Sequence, residues 1–185
     1  MSIDQQYIVT IFKNIKETDT PFFREVASVL QRIKEGSSKN LIKKIRAEQD
    51  KSVRNDLKKE LPSICFSGKF NKRADVALQQ HSGLICLDFD GYAKQSLLLK
   101  DKAKFVKDKY VYSVFISPSG KGLKLLIKVP PIADNHVGYF VALEKYFNSD
   151  YFDKTSKNIS RVCYESYDPL ISINDKSVIW DKIED

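Results

Sequence analysis

The sequence is poor in the residues that mark fibrous, linker-like and disulfide-stabilised chains. Only 7 of its 185 residues are glycine and 6 are proline, which excludes collagen-like and low-complexity sequences. Its 3 cysteines, Cys65, Cys86 and Cys163, are an odd number and form no CxxC pair. Because only 2 histidines are present, a Cys/His zinc site is disfavoured, and we expect the cysteines to be buried free thiols.

Long apolar runs are also missing. No hydrophobic stretch approaches the roughly 20 residues that a helix needs to cross a bilayer. The N-terminal sequence MSIDQQYIVTIFKN lacks the basic start, the long apolar stretch and the cleavage site of a signal peptide. We therefore expect a cytoplasmic protein that has no membrane partner.

The sequence does contain what an ordinary globular domain needs. Hydrophobic residues make up 42% of the chain, and 11 Phe and 9 Tyr are too many for a disordered protein. A chain of this length buries roughly 70% of its unfolded surface, so residues 1–185 are predicted to form one domain. The 31 Lys and Arg exceed the 24 Asp and Glu by 7, which weakly indicates a polyanionic partner such as nucleic acid or nucleotide.

Residues 1–60 are predicted to form a mainly helical subregion, which contains one short strand at residues 7–12. Thr20 and Pro21 suit the N-cap and the first position of a helix, which Gly36 would then end. A second helix has an apolar face formed by Leu41, Ile42 and Ile45 and a cationic side formed by Lys39, Lys43 and Arg46. The simpler interpretation of these cations is a solvated face, and the alternative is contact with phosphates.

Residues 61–185 are predicted to form the sheet core, because short apolar and aromatic runs alternate there with helical periodicity. This pattern indicates an α/β or α+β protein. Strands are predicted at residues 63–67, 84–89, 111–116 and 123–129, with shorter ones at 162–164 and 171–173, and helices at 94–109 and 135–148.

Two carboxylates follow the apolar run that begins at Leu84. Side chains alternate along a strand, so Asp88 and Asp90 should project from one face while Phe89 projects from the other. Carboxylates held this close repel each other unless a cation lies between them, and Mg²⁺ or Mn²⁺ would serve. The alternative is that Asp88 enters solvent and Asp90 simply makes a turn with Gly91.

A loop rich in serine, glycine and lysine lies between the next two predicted strands. Its sequence, residues 117–124, is SPSGKGLK. The glycines allow backbone amides to turn toward an anion, while the serine hydroxyls and lysine ammonium groups could contact phosphates. The spacing is not that of a Walker A loop. The alternative is an ordinary hairpin with exposed lysines.

A third acid and an arginine follow later in the chain. Asp153 is the best candidate for a third carboxylate because it follows an aromatic pair, and Asp150 is its local rival. Arg161 precedes an apolar run. It could bind phosphate or could equally form a structural salt bridge, for example with Asp168.

These motifs, in this order, resemble the archaeo-eukaryotic primase superfamily. The likeness is greatest to the primase-polymerase branch that contains the VirE N-terminal-like domains and the CRISPR-associated primase-polymerases, and it covers residues from about 62 to 174. The motifs that carry it are Asp88-Phe89-Asp90, the loop at 117–124, Asp153, Ser160-Arg161-Val162-Cys163-Tyr164 and Ser166-Tyr167-Asp168-Pro169, with Phe66-Ser67-Gly68-Lys69-Phe70 and His81-Ser82-Gly83-Leu84 before them.

The resemblance implies an α+β fold whose RRM-like core is a mostly antiparallel sheet flanked by helices. It implies that Asp88, Asp90 and Asp153 are catalytic and hold Mg²⁺ or Mn²⁺, two ions in all. The reaction would be template-directed nucleotidyl transfer from dNTPs or NTPs on a DNA template and primer. The residues expected to bind the nucleotide are Ser117, Ser119, Gly120, Lys121, Gly122, Lys124 and Arg161.

The sequence departs from the superfamily pattern at the end of the loop motif. The superfamily has a histidine there, whereas this chain has Lys124, which keeps a cation and loses imidazole hydrogen bonding. No zinc-binding module or helicase ATPase motif is recognisable. A helicase or other replication or CRISPR components, in cis or in trans, are therefore expected partners.

Two other functions are compatible with parts of the sequence. The run at residues 87–91 resembles the nucleophile strand of haloacid dehalogenase-like phosphatases, in which Asp88 would form an aspartyl-phosphate. Against this, about 80 residues precede the strand, and Tyr92 replaces the usual threonine. A non-catalytic nucleic-acid-binding module is the second alternative, but it leaves the three acids unexplained. The cations expected to contact a template backbone are Lys39, Lys43, Arg46 and Arg73.

Overall fold

The computed structural model describes residues 7–184. The described part of the chain contains ten strands and five α-helices, with two single-turn 3-10 helices at residues 75–77 and 133–135. The elements in chain order are β1 (Ile8–Phe12), β2 (Phe22–Glu25), α1 (Val26–Glu35), α2 (Lys39–Ala47), α3 (Lys51–Lys58), β3 (Ser63–Cys65), β4 (Gly68–Phe70), β5 (Leu78–His81), β6 (Leu84–Phe89), α4 (Gln95–Val106), β7 (Val111–Ile116), β8 (Leu123–Lys128), α5 (His136–Phe147), β9 (Cys163–Tyr164) and β10 (Ser172–Ile173).

The strands form two four-stranded sheets and one hairpin. The first sheet has the order β2-β1-β3-β9, the second has the order β10-β7-β8-β6, and β4 pairs with β5. Every strand pair in the described residues is antiparallel. The fold is therefore α+β with antiparallel sheets flanked by helices, as expected.

The second sheet is the central layer because side chains on both of its faces are buried. Leu87 and Phe89 of β6 pack into one hydrophobic core together with side chains of α4 and α5. Leu84 of β6 and Leu126 of β8 belong to a second core, which they share with β1, β3 and α1. Strands β1 and β3 and helix α1 are thus packed onto the same sheet that carries Asp88.

The N-terminal subregion differs from expectation at its start. Residues 22–25 form strand β2, which pairs with β1 from Ile8 to Ile11, and helix α1 begins only at Val26. The helix-start signal at Thr20 and Pro21 is overridden because two aromatic residues pair well with the neighbouring strand. Helix α1 ends at Gly36, as predicted, with φ at +87°.

The longest helices in the described residues, α4 and α5, have 12 residues each, and no helix there could span a bilayer. The three cysteines are free thiols, as predicted, although Cys86 is only half-buried. Burial raises the pKa of the Cys65 thiol to about 12.

The two histidines of the chain contact each other in the interior. His81 Nε2 lies 3.1 Å from His136 Nδ1, and the backbone N–H of Gly83 donates to His81 Nδ1 at 2.9 Å. Since Nδ1 of His81 accepts, neutral His81 carries its proton on Nε2 and donates it to His136. Burial lowers the pKa of His81 to about 4 and, together with the charge His81 would carry, lowers the pKa of His136 to about 3.

Acidification is therefore expected to destabilise the fold. The unfolded chain binds protons on both histidines near pH 6.5, whereas the folded chain keeps them neutral to about pH 4 and pH 3. In that interval the free energy of unfolding falls with decreasing pH, by up to about 1.4 kcal/mol per pH unit for each histidine. Urea unfolding at a series of pH values between about 7.5 and 4.5 would measure this slope. A slope unchanged in a His81→Gln/His136→Gln variant would contradict this origin.

Candidate nucleotide and metal site

The end of β6 is held by the segment that contains Asp153. Phe89 and Phe152 form an isolated antiparallel bridge. The backbone N–H of Asp153 donates to the carbonyl of Asp88 at 2.8 Å, and the N–H of Asp90 donates to the carbonyl of Tyr151 at 2.8 Å. These bonds fix the backbone from which Asp88 and Asp90 project, and they bring the three acidic residues into one region.

A cleft of about 360 Å³ opens at this end of the central sheet. Six of the expected site residues line it, and four lining residues were not expected. The expected residues are Asp88, Asp90, Ser117, Ser119, Lys124 and Arg161, and the additional ones are Lys58, Pro118, Val162 and Tyr164.

Asp88 is paired with Lys124 across two neighbouring strands. The two residues lie directly opposite each other in the β6–β8 register, and Lys124 Nζ donates to Asp88 Oδ2. Their side chains are only 13% and 14% exposed for Lys124 and Asp88, respectively. Burial alone would lower the pKa of Lys124, but the negative charge of Asp88 outweighs it and the pKa is raised. The other carboxylate oxygen, Asp88 Oδ1, is buried and has no hydrogen-bond partner.

Asp90 lies at the mouth of the cleft, directly after β6. Its pKa is raised, first because the surrounding protein displaces water from the carboxyl group and then because of the charge of Asp88. Lys124 and Lys58 offset part of this rise. The two carboxylates therefore form a site whose negative charge is only partly neutralised by the protein.

The serine–glycine loop forms a tight turn against Asp90. The backbone N–H of Ser117 donates to the carbonyl of Gly122 at 2.8 Å, and the N–H of Gly120 donates to the carbonyl of Ser117 at 2.9 Å. The hydroxyl oxygens of Ser117 and Ser119 lie 3.2 Å apart. Lys121 is exposed, and neither Lys121 nor the two glycines are among the cleft-lining residues.

Gly122 is needed because the loop approaches the acidic strand end so closely. A Cβ atom at this position would lie 2.2 Å from Asp90 Oδ1 and 2.7 Å from the carbonyl oxygen of Phe89. No side chain fits at those distances. Gly120 has a different role, since its φ of +74° is one that other residues rarely adopt.

The loop is anchored from outside by residues of α2, α4 and the segment after β9. Arg46 Nη2 donates to the carbonyl oxygens of Ser117, at 3.2 Å, and of Tyr167, at 2.8 Å. Burial lowers the pKa of the Arg46 guanidinium. Asp168 Oδ2 accepts from the backbone N–H of Ile116 at 2.9 Å and from Lys102 Nζ at 2.6 Å.

Arg161 pairs with Asp153, so the suggested salt bridge to Asp168 is wrong. Arg161 Nη2 lies 3.5 Å from Asp153 Oδ2, whereas Asp168 is occupied by Lys102. Burial alone would raise the pKa of Asp153, but hydrogen bonds from Thr155, together with the charge of Arg161, hold it below its usual value. Asp153 is not among the residues that line the cleft. Its rival Asp150 is exposed and lies in a separate depression beside α4.

The residues of the cleft fit one divalent cation better than a preformed three-carboxylate centre. Among residues 7–184 no group of three or more His, Cys, Asp or Glu side chains is arranged to hold a metal ion. Asp88 and Asp90 nevertheless offer two carboxylates, one of which has an unpartnered buried oxygen. Mg²⁺ is commonly bound by one or two carboxylates together with substrate phosphates, so this donor set fits Mg²⁺ or Mn²⁺.

Lys58 is a cleft residue that sequence reasoning missed. It ends helix α3, and the nearby charges of Asp90 and Asp88 oppose the effect of burial, which lowers its pKa. Helix α3 buries no residue fully, and its apolar residues are Val53 and Leu57, which are four positions apart. That spacing and the N-cap Asp50, whose side chain accepts from the N–H groups of Ser52 and Val53, predict a helix but do not indicate that Lys58 faces the cleft.

Of the four cations expected to contact a template, three lie on helix α2 and Arg73 lies in the connection between β4 and β5. Lys39 lies over the ring of Tyr167 at 5.2 Å, and Lys43 is exposed on the same helix. Arg46 is engaged with the serine–glycine loop. Arg73 is half-buried in the β4–β5 connection, where its backbone N–H donates to the carbonyl of Thr18.

Comparison with known proteins gives one sequence family and two structures. Residues 56–172 match the family described as BT4734-like, N-terminal domain. No curated protein sequence matches the chain. The AEP domain (PP-N190) of the cyanophage S-2L primase-polymerase is 12% identical, with a TM-score of 0.47 over 97% of this chain and 86% of its own. Primase RepB′ is 14% identical, with a TM-score of 0.39 over 95% of this chain and 53% of its own, so the chain spans about half of that protein.

Proposed function

The chain belongs to the family of BT4734-like N-terminal domains, and we propose that it is a primase-polymerase catalytic domain of the archaeo-eukaryotic primase superfamily. The proposed reaction is metal-dependent, template-directed nucleotidyl transfer from dNTPs or NTPs. The sequence motifs that resemble the primase-polymerase branch support this proposal, and so does the chemistry of the cleft they line.

The observation that carries the proposal is the meeting of opposite charges in one cleft. Asp88 and Asp90 line the cleft together with Ser117, Ser119 and three cationic side chains. Carboxylates alone would repel a triphosphate, and cations alone would bind any anion. Their combination suits a triphosphate that arrives with a divalent metal ion. The cations are Lys58, Lys124 and Arg161.

In the proposed reaction the 3′ hydroxyl of a primer, or of a first nucleotide, attacks the α-phosphorus of the incoming nucleotide. A new P–O bond forms as the bond to the β-phosphate oxygen breaks, and pyrophosphate leaves. Ser117 and Ser119 would donate hydrogen bonds to phosphate oxygens. Lys58 and Arg161 would offset the charge that develops on pyrophosphate.

Asp88 and Asp90 would hold the metal ion, and Asp153 would complete a second ion's coordination if its pair with Arg161 opened. When bound, Mg²⁺ or Mn²⁺ lowers the pKa of the attacking hydroxyl and neutralises the leaving group. Arg161 lines the cleft and also pairs with Asp153, so a bound phosphate would compete with Asp153 for its guanidinium.

The proposed partners are a DNA template with its primer and a helicase or other replication or CRISPR components. Lys43 and Lys39 on α2 are the better candidates for template contacts. Arg46 is the weaker one, because its guanidinium already binds two carbonyl oxygens.

Two assays on the purified protein distinguish the proposed function from its alternatives. With Mn²⁺ or Mg²⁺, dNTPs and a primed template, the wild type should extend the primer. Release of phosphate from a phosphomonoester, lost in Asp88→Asn, would instead support the phosphatase. Binding of the template without either activity would support a non-catalytic binding module, and each of these two results contradicts the proposal.

Gly122→Ala tests whether the loop must lie against Asp90. Because a Cβ atom would collide with a backbone carbonyl as well as with Asp90, the loop must shift. We expect nucleotide affinity to fall about 10- to 100-fold, as overpacking of this size costs about 1–3 kcal/mol. Fluorescent-nucleotide titration would measure it. Gly91→Ala is the control. A Cβ atom at this position meets nothing within 4 Å, so the substitution is disfavoured only by the backbone φ of +84°. Equal losses of affinity in both variants would contradict the prediction.

A further inference from the structure

We propose that Lys124 is a resident counter-ion of the carboxylate pair, which leaves Asp88 when a divalent metal ion binds and then contacts the phosphates of the nucleotide. The inference rests on the proposed metal and nucleotide site, and it adds that metal and nucleotide bind there cooperatively. Metal alone binds weakly, and nucleotide makes metal binding favourable.

The Lys124 ammonium group lies against the carboxylate of Asp88. Lys124 and Asp88 face each other on two paired strands, and each side chain is nearly buried. Lys124 Nζ donates to Asp88 Oδ2, so the ammonium occupies the coordination space beside that oxygen. Because Asp88 Oδ1 is buried, a metal ion that enters from the cleft meets Asp88 at Oδ2 and has to displace the ammonium group.

The charge of the two carboxylates is only partly neutralised by Lys124. Asp88 and Asp90, when both ionised, carry two negative charges, and the ammonium of Lys124 supplies one positive charge. Asp88 Oδ1 has no hydrogen-bond partner, so the ammonium satisfies only part of the acceptor capacity. A divalent cation can satisfy both carboxylates, which makes the exchange favourable once Lys124 has another anion to contact.

A phosphate of the nucleotide can be the other anion that Lys124 contacts. Lys124 lines the same cleft as Ser117 and Ser119. The hydroxyl groups of the two serines lie 3.2 Å apart and contact each other. A phosphate bound at these hydroxyls is the anion nearest to a displaced Lys124. Without it, the ammonium would stay buried and unpaired, which is costly. Metal and nucleotide must therefore raise each other's affinity.

The test measures Mn²⁺ binding by electron paramagnetic resonance in the absence of nucleotide. Lys124→Met keeps an unbranched side chain that is one atom shorter and removes its charge. We expect the variant to bind Mn²⁺ at least roughly tenfold more tightly than the wild type, because a like charge beside the carboxylates is gone. Lys128→Met is the matched control, since Lys128 is a nearly buried lysine of the same strand that donates to the Asp175 carbonyl. Equal or weaker Mn²⁺ binding by folded Lys124→Met would overturn the proposal.

A second variant and a wild-type measurement cover a failure of Lys124→Met to fold. Lys124→Arg keeps the charge and should retain the weak metal affinity of the wild type; tighter binding would overturn the proposal. In the wild type, Mg²⁺ with a non-hydrolysable dNTP should move the NMR signal of the Lys124 Nζ group, which the arginine variant identifies. An unmoved signal at saturation would also overturn it. None of these measurements needs turnover, so a failed primer-extension assay would contradict only the proposed function.

Discussion

Replacing Asp88 and Asp90 together by asparagine is expected to lower primer extension by at least roughly 1,000-fold, because both proposed metal ligands lose their charge. The two amides keep the size of the side chains, but Asp88→Asn leaves the Lys124 ammonium without its counter-ion, so circular dichroism has to show that the variant is folded. The measurement is the rate of primer extension at saturating dNTP and Mn²⁺. Extension within about tenfold of the wild type would contradict the assignment of these carboxylates.

Asp90→Asn alone separates an effect on catalysis from an effect on folding. The pKa of Asp90 is raised in the folded chain, so its ionised form opposes folding at neutral pH. This cost is absent below the unfolded pKa of about 3.8 and grows as pH rises through the folded value. Asp90→Asn should therefore lose activity while unfolding at an equal or higher urea concentration at pH 7. A loss of activity that simply follows a loss of stability would contradict the role of Asp90 in the site.

Asp168→Asn is expected to produce the largest loss of stability, about 3–5 kcal/mol, because it leaves the buried Lys102 ammonium without its counter-ion. The side chains of Lys102 and Asp168 are only 9% and 3% exposed, and their charged atoms lie 2.6 Å apart. Asp168 also accepts from the backbone N–H of Leu170 at 3.0 Å. Urea unfolding followed by circular dichroism would measure the loss.

A double variant tests whether this loss comes from the ion pair. Removing both charges in Asp168→Asn/Lys102→Met should recover part of the stability, since no unpaired buried charge remains. Strict additivity of the two single losses would contradict the explanation. Asp168 also holds the N–H of Ile116 directly before the serine–glycine loop. We therefore expect the folded fraction of Asp168→Asn to bind nucleotide more weakly.

The elements of the central sheet could be predicted from the sequence because each is a continuous apolar run. Strands β6 and β7 begin and end where the sequence indicates, at Leu84–Phe89 and Val111–Ile116. Strand β2 could not be predicted in this way. Its identity depends on pairing with β1, and a single-sequence pattern does not contain that partner.

The residues of the cleft were predictable by type, but their contacts were not. Asp88 and Lys124 meet because β6 pairs with β8 rather than with β7, and nothing local to either residue specifies that topology. The same holds for Arg46, which is remote in sequence from the loop it anchors. Lys58 was missed because its position in the cleft depends on how helix α3 packs, which no pattern local to Lys58 specifies.

Single-nucleotide incorporation on a primed template tests whether the chain carries out template-directed nucleotidyl transfer. Each of the four dNTPs is supplied separately with Mn²⁺, and the template base opposite the primer end is varied. We expect the wild type to add the complementary nucleotide and Asp88→Asn/Asp90→Asn to add none. Absence of any incorporation by the wild type, or addition that ignores the template base, would contradict this expectation.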